Sequence, residues 1–198
     1  MRLALARTLI SGSTLALGVA SLQAAPLSVK VTDARGQPLA GAVVAVEGKA
    51  LSSRAKPGTQ AELAQKDRQF RPQLLVIQTG TEVRFPNEDP VRHHVYSYSA
   101  PKTFELKLYL GQPSNPVLFD KPGVVPVGCN IHDRMAAHIV VVDTPLFAIT
   151  DAQGLARLEL PAQSGALQLR SWHPSRAEAP AQTQTIPAGA TQVTAALP

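Results

Sequence analysis

The stretch CNIHDRM, residues 129–135, is the part of this 198-residue chain from which both the fold and the chemistry can be argued. It holds the only cysteine of the chain and one of its two methionines, the other being the initiator. A thiol, an imidazole and a thioether follow one another at three-residue spacing as Cys129, His132 and Met135. Thiolate and thioether sulfur favour copper, and two histidines, one cysteine and a weak axial methionine make a blue-copper site. The stretch therefore predicts a metal site that still needs one histidine.

Two adjacent histidines, His93 and His94, are the candidates for the missing ligand. Successive side chains of a strand point to opposite faces of a sheet, so only one of the two can face the site. The residues alone leave the choice between them open. His138 lies on the predicted strand after the stretch and is interpreted as a packed or surface histidine. His173 is far away in the sequence and is interpreted as a structural histidine of the chain's end.

Short apolar stretches on both sides of the ligand stretch predict two antiparallel strands, residues 124–128 and 138–142. A tight loop between such strands can turn its side chains towards one point. Similar strands, separated by turns rich in Gly and Pro, are predicted over 74–78, 82–85, 94–97, 103–110 and 117–119. Seven short strands in about 70 residues indicate a β-sandwich or barrel. The 17 prolines of the chain argue against a helical protein, because proline breaks helix interiors.

The two ends of the chain share a second pattern. VTDARG at residues 31–36 returns as ITDAQG at residues 149–154. Strands are predicted over 27–31, 39–46, 155–160, 166–171 and 191–197. Two strands at the beginning cannot form a core by themselves. We therefore expect both ends to combine into one small sandwich of about five strands, with the metal-binding part inserted between them.

Residues 49–73 differ from their surroundings, because they are polar and charged. Thr59 and Glu62 have the spacing of a capping box, which predicts a short helix over about 60–67. We interpret the stretch as a connector. The Pro-, Ala- and Gln-rich residues 174–185 are predicted to be a loop.

The first 24 residues have the pattern of a secretory signal. Arg2 and Arg7 precede a broken apolar run that ends at the small residues Ala24 and Ala25. The alternative, a membrane anchor, is disfavoured because the run is too short for a bilayer, which needs about 20 residues. We predict a periplasmic protein without a membrane span in its mature form. Loss of the two arginines lowers the net charge from +5 to +3, a value that does not indicate nucleic-acid binding.

Export to the periplasm also limits what the thiol of Cys129, the only cysteine of the chain, can do. Exported proteins usually pair their cysteines in disulfides, so a single one needs another occupant, and a metal would protect it. The alternative is an inert thiol packed as a small hydrophobe. The polar neighbours in the stretch, including Asn130, Asp133 and Arg134, argue against that alternative.

The pattern VRFPNEDPVRHHV over residues 83–95, followed by C-x2-H-x2-M over 129–135, resembles the cupredoxin family, which includes plastocyanin, amicyanin and azurin. The wider segment from 70 to about 154 is similar to exported cupredoxin-like proteins of the methylamine-utilisation type. The resemblance implies a Greek-key β-sandwich that holds one type 1 copper ion. The ligands implied are His93, Cys129, His132 and Met135. One position departs from the family pattern, because the residue after the first ligand histidine is usually Asn and here is His94.

A weaker resemblance concerns the ends of the chain. Residues 27–46 and 146–171 resemble the carboxypeptidase regulatory-like, transthyretin-like sandwich. The expected fold is all-β, with a cupredoxin sandwich inserted into or packed beside this second small sandwich. The expected division is a signal peptide (1–24), first strands of the second sandwich (25–48), a connector (49–69), the cupredoxin domain (70–143) and the remainder of the second sandwich (144–198).

These resemblances imply an exported copper protein that carries single electrons between periplasmic redox partners. Two alternatives stay open: a copper-binding or copper-delivery module, and a structural interaction protein without redox turnover. An enzyme is not expected, because Cys129 and His132 have no evident third group to orient them as a nucleophile and base. Arg92 and Arg134 are candidates for orienting an acidic partner.

Overall fold

The computed structural model describes residues 25–56, 60–113, 115–161 and 165–198. The all-β prediction is confirmed, because these residues form strands with only one short α-helix, Lys49–Ser52, and one 3-10 helix, Pro174–Arg176. Neither helix has the length or hydropathy needed to cross a bilayer. The predicted signal segment, residues 1–24, lies outside the described residues.

The strands are numbered in chain order. They are β1 (Ala25–Asp33), β2 (Val43–Glu47), β3 (Gln60–Glu62), β4 (Ala64–Lys66), β5 (Gln69–Arg71), β6 (Leu74–Gln78), β7 (Thr81–Arg84), β8 (His93–Ser99), β9 (Lys102–Tyr109), β10 (Val117–Phe119), β11 (Gly123–Gly128), β12 (Ala136–Val142), β13 (Phe147–Ile149), β14 (Leu155–Leu160), β15 (Leu167–Trp172), β16 (Gln182–Ile186) and β17 (Gln192–Leu197).

Strands from both ends of the chain share one core. They form a three-stranded sheet in the order β14-β1-β17 and a four-stranded sheet in the order β13-β2-β15-β16. The alternating residues Leu27, Val29 and Val31 of β1 are completely buried, as period-two alternation predicts for a strand with one inner face. They pack in one apolar cluster with residues such as Val46 and Leu169 from the other sheet. Burial of these two inner faces against each other holds the pair of sheets together.

The middle of the chain forms a second core. A five-stranded sheet in the order β6-β12-β11-β8-β9 and a three-stranded sheet in the order β10-β7-β3 supply it. Its largest buried side chains are the aromatic rings of Phe70, Phe85 and Phe119. Cys129 and Met135 belong to the same cluster. The ligand stretch therefore lies at the border of this core rather than on an independent surface loop.

The helix predicted over residues 60–67 is wrong. This segment forms β3 and β4, and β3 pairs in parallel with β7. Leu63 and Phe70, both in the stretch interpreted as a connector, are fully buried in the second core. Tertiary burial has overridden a local capping signal here. A further strand, β16, occupies part of the stretch predicted as a loop at residues 174–185.

The two cores meet through a third apolar cluster. Val140 and Val142 of β12 pack there with Val43 and Ala45 of β2 and with Trp172 of β15. Strand β12 thus contributes alternate residues to two clusters, since Ile139 and Val141 belong to the second core. A strand buried on both faces reads as a continuous apolar run, which describes residues 139–142.

Candidate metal centre

The ligand stretch connects two paired strands. Strands β11 and β12 are antiparallel, with Gly128 opposite Ala136 as the last pair before the loop. Two backbone hydrogen bonds close the loop: the Cys129 N–H donates to the Met135 carbonyl over 3.2 Å, and the Met135 N–H donates to the His132 carbonyl over 2.9 Å. The strands predicted on either side of the stretch are confirmed. The loop holds Cys129, His132 and Met135 close together in the backbone.

Strand β8 brings a histidine to the same place. It pairs with β11 at Tyr96 and Gly128, next to the ligand loop. His93 is fully buried, and its Nδ1 lies 3.2 Å from Nδ1 of His132. His94 makes a different contact, with its Nε2 2.8 Å from a carboxylate oxygen of Glu105. The strand pleat separates the two adjacent rings, as the alternation rule requires.

Three potential ligand atoms converge, one each from His93, Cys129 and His132, and all lie within 4.8 Å of one another. The Cys129 Sγ is 3.7 Å from Nδ1 of His132. Metal–nitrogen distances of about 2.0–2.1 Å and metal–sulfur distances of about 2.3 Å place ligand atoms of a tetrahedral site about 3.3–3.6 Å apart. The spacing between the two imidazoles and between thiol and imidazole therefore fits a single small ion. A soft cysteine sulfur beside two imidazoles is a donor set that suits copper or zinc.

Met135 is almost fully buried, at 2% exposure, in the same apolar cluster as Cys129. Its backbone is fixed by both hydrogen bonds that close the loop. The thioether is thus held on the core side of the loop, together with the thiol. Buried sulfur and the absence of a carboxylate among the three converging residues favour a soft ion at this place.

A carboxylate that sequence reasoning missed fixes the ring of His93. Asp89 Oδ2 lies 2.7 Å from Nε2 of His93, and the side chain of Asp89 is only 8% exposed. With Nε2 engaged by Asp89, Nδ1 is the nitrogen that faces His132. Metal-binding histidines commonly use their second nitrogen in this way, which sets both ring orientation and tautomer. The signal available in the sequence was an acidic residue four positions before the histidine.

Asp89 is itself held by the turn between β4 and β5. Its two carboxylate oxygens accept hydrogen bonds from the backbone N–H groups of Asp67 and Arg68, over 2.7 and 2.9 Å. Both turn residues have positive φ angles, 54° and 55°. Burial opposes ionisation of Asp89, but the hydrogen bonds from Arg68, His93 and Asp67 outweigh it and keep the pKa of Asp89 below its ordinary value. The carboxylate is consequently charged where it faces His93.

A buried polar network supports the loop that carries Asp89. The side-chain amide of Asn87 donates to the carbonyls of Val91 and Tyr109, over 2.8 and 2.9 Å. The Tyr109 hydroxyl donates to the Phe85 carbonyl over 2.6 Å and also contacts the side-chain amide of Gln65. Burial raises the pKa of Tyr109 to about 12, against a lowering effect of Gln65. Tyr109 therefore stays a neutral donor. The hydrogen bonds of Asn87 and of the Tyr109 hydroxyl together hold the loop that carries Asp89.

The solvent side of the site is formed by His132 and its neighbours. His132 is half-buried, whereas His93 and Cys129 are buried. Ile131 is 48% exposed beside it. Arg92 and Arg134 are both exposed. Of the three converging residues, His132 is therefore the one in contact with solvent.

Comparisons with known proteins give partial likenesses. No protein-family model matches the sequence, and no curated protein matches it. A Cu-containing nitrite reductase from Thermus scotoductus SA-01 is 26% identical over 42% of this chain and only 22% of its own, with a TM-score of 0.39.

Two smaller solved proteins match over nearly their whole length. A purple cupredoxin from Nitrosopumilus maritimus is 21% identical over 41% of this chain and 99% of its own, with a TM-score of 0.36. Amicyanin from Paracoccus versutus is 13% identical over 49% of this chain and 97% of its own, with a TM-score of 0.37. These TM-scores are too low to assign a family or an activity.

Proposed function

We propose that this protein binds one type 1 copper ion through His93, Cys129, His132 and Met135 and carries single electrons between redox partners. The observation that supports this most directly is the convergence of two imidazole nitrogens and a thiol, spaced to fit one ion. The burial of His93, Cys129 and Met135 supports it further, because a dry and rigid site limits rearrangement between oxidation states. We do not propose an enzymatic activity.

Copper in such a site supplies a couple between Cu(I) and Cu(II). The residues of the chain supply the rest: Asp89 orients His93, the hairpin of β11 and β12 fixes Cys129 and Met135, and buried apolar side chains exclude water. His132 is the half-buried ligand, so we place the entry and exit of electrons on its side. Exposed Arg92 and Arg134 would orient an acidic partner protein. We propose export to the periplasm, on the signal pattern of residues 1–24.

The first test is the visible spectrum of the mature protein after addition of Cu(II). We expect an intense band at the red end of the spectrum, at one copper per chain, and we expect Cys129→Ser to abolish it, because the band arises from the thiolate. Copper that binds with only a weak band would contradict the type 1 assignment. Zinc should displace no copper at equal concentration, because Cu(II) lies above Zn(II) in ligand affinity.

Two matched variants test the choice between the adjacent histidines. His93 and His94 are both buried on β8, so truncation of either one should perturb folding to a similar extent. We expect His93→Ala to eliminate the intense band and His94→Ala to retain it. Retention in His93→Ala with loss in His94→Ala would overturn the ligand assignment.

Copper delivery is the alternative within the same site. A carrier should have a reversible midpoint potential and fast self-exchange, whereas a delivery module should release copper readily to a chelator. The burial of three of the four proposed ligands favours the carrier, since the ion would have to leave through the side of His132 alone.

A further inference from the structure

A cavity of about 550 Å³ lies where the two cores meet. Strands β2, β11, β12 and β15 and the loop of residues 177–181 contribute to its walls. Small-molecule sites in proteins typically have volumes of about 300–1,000 Å³ and lie preferentially at the junction of two structural units. The size and position of this cavity are therefore those of a ligand site.

Most of the wall is apolar. All five members of the third apolar cluster, Val43, Ala45, Val140, Val142 and Trp172, line the cavity. Burial of apolar surface of a ligand against such a wall is favourable in proportion to the area removed from water. The body of a suitable ligand is thus apolar, and an aromatic ring would find a partner in Trp172.

One part of the wall offers hydrogen-bond donors. Arg170 and Trp172 lie two residues apart on β15 and both line the cavity. Arg170 Nε and Trp172 Nε1 are buried and have no hydrogen-bond partner among the residues that the structure describes. A buried donor without an acceptor is costly, and a ligand oxygen that displaces the side-chain atoms covering these two groups would relieve that cost. The two orphaned N–H groups call for an acceptor.

The charges around these donors decide which kind of acceptor fits. Arg170 Nη1 donates to a carboxylate oxygen of Glu47 over 3.2 Å, so its charge is already compensated. Glu178 lies on the lining as well. With two carboxylates against one guanidinium, the surroundings offer no uncompensated positive charge to an anionic ligand. A neutral oxygen such as a carbonyl fits better than a carboxylate.

We propose that this cavity binds a neutral, mainly apolar small molecule that carries a carbonyl oxygen, with Arg170 and Trp172 as the donors. The cavity lies away from the metal centre along β11 and β12, because it involves the end where Gly123 pairs with Val141, whereas the ligand loop follows the pair of Gly128 and Ala136. Binding in the cavity does not depend on copper, so this proposal and the proposed function can fail separately.

The test uses the fluorescence of Trp172, which is the only tryptophan of the chain. The probe is prodan, a neutral naphthyl ketone whose absorption overlaps tryptophan emission. We expect saturable energy transfer from Trp172 to prodan at one probe per chain, in both copper-free and copper-loaded protein, with prodan emission shifted to the blue. An anionic naphthalene sulfonate of similar size should bind more weakly. Tighter binding of the sulfonate, or no saturable transfer, would overturn the proposal.

Three variants locate the site. Ala181→Phe fills the cavity from its wall, and we expect at least a tenfold weaker affinity for prodan; Ala152→Phe, in an exposed turn, is the matched control and should bind as the wild type. Trp172→Phe keeps an aromatic wall but removes the donor, and should weaken binding about tenfold when followed by prodan emission. Thermal unfolding verifies that each variant is folded. Unchanged affinity in a folded Ala181→Phe protein would refute the location.

Discussion

At the scale of single residues, Asp89 decides which nitrogen of His93 faces His132. We predict that Asp89→Asn lowers copper affinity by about 10–100-fold, the usual effect of losing a carboxylate behind a metal-binding histidine. The new amide would also place its own N–H group against one of the backbone N–H groups of Asp67 and Arg68. In the wild type, each of these two donors has a carboxylate oxygen as its acceptor. Competition titration of Cu(I) against a chelator measures the change.

Asp120→Asn is the control for this substitution. Asp120 forms a surface ion pair with Lys102 over 3.5 Å, so its loss should leave copper affinity unchanged. If Asp89→Asn and Asp120→Asn bind copper equally well, Asp89 has only a structural role and the orienting hydrogen bond to His93 is unimportant.

The individual residues also show how much of the site could be predicted from the sequence. The spacing of Cys129, His132 and Met135 could be interpreted because all three lie on one tight loop. The hydrogen bond between Asp89 and His93 could not be predicted from the sequence. It depends on a turn whose shape is fixed by Asn87 and by the β4–β5 hairpin. His93 and His94 are the same residue type, so only the position of β8 in the fold shows which of them faces the site.

At the scale of elements, the repeated motif provides a matched pair of turns. In VTDARG and ITDAQG, the aspartate Oδ1 accepts two backbone N–H groups, those of Arg35 and Gln37 in the first turn and those of Gln153 and Leu155 in the second. Each motif ends in a glycine with positive φ, 75° and 70°. The two turns are alike in conformation but differ in their surroundings.

We predict that Gly154→Ala destabilises the protein much more than Gly36→Ala. A Cβ at Gly36 meets nothing within 4 Å, so this variant loses only about 1 kcal/mol through its left-handed backbone. A Cβ at Gly154 would lie 2.5 Å from the Val31 carbonyl oxygen and 2.9 Å from the Leu39 nitrogen, two atoms that hydrogen-bond each other. Overpacking of this kind adds about 1–3 kcal/mol. Urea denaturation of both variants measures the difference, and equal losses would contradict the clash.

Elements were predictable where the local pattern and the tertiary environment agree. The predicted strands 74–78, 117–119 and 155–160 coincide with β6, β10 and β14, because their apolar residues and turn boundaries suffice to define them. Strands β3, β4 and β5 were missed, since each has only three residues and their polar composition hides Leu63 and Phe70. The pairing of β3 with β7, and of β4 with β5, supplies what the local sequence lacks.

At the scale of the whole molecule, the connectivity follows from what each part of the chain can bury. Strands β1 and β2 pair with β14, β17, β13 and β15, all from the other end of the chain. The middle of the chain closes around its own core of Phe70, Phe85 and Phe119. We propose that the middle is an inserted domain, with the boundaries 70 and 143 expected from sequence, although Leu63, between β3 and β4, contributes to this core from before residue 70.

The contact between the two cores includes a titratable group, and we predict that it makes stability depend on pH. His138 of β12 packs edge-on against Trp172 of β15, with ring centroids 5.1 Å apart. Burial lowers the pKa of His138 below its ordinary value of 6.5. As pH falls through 6.5, the unfolded chain therefore takes up this proton before the folded protein does, so the contribution of neutral His138 to stability is present above pH 6.5 and is lost below it.

His138→Gln removes the titration while keeping a polar side chain of similar size. We expect the thermal midpoint of the wild type to fall more than that of His138→Gln between about pH 7.5 and about pH 5.5, because only the wild type loses the neutral imidazole. Copper-free protein is used, so that proton competition at the metal centre does not enter, and the remaining histidines are common to both proteins and cancel in the comparison. An equal or larger fall in the variant would contradict a role of His138 at the contact of the two cores.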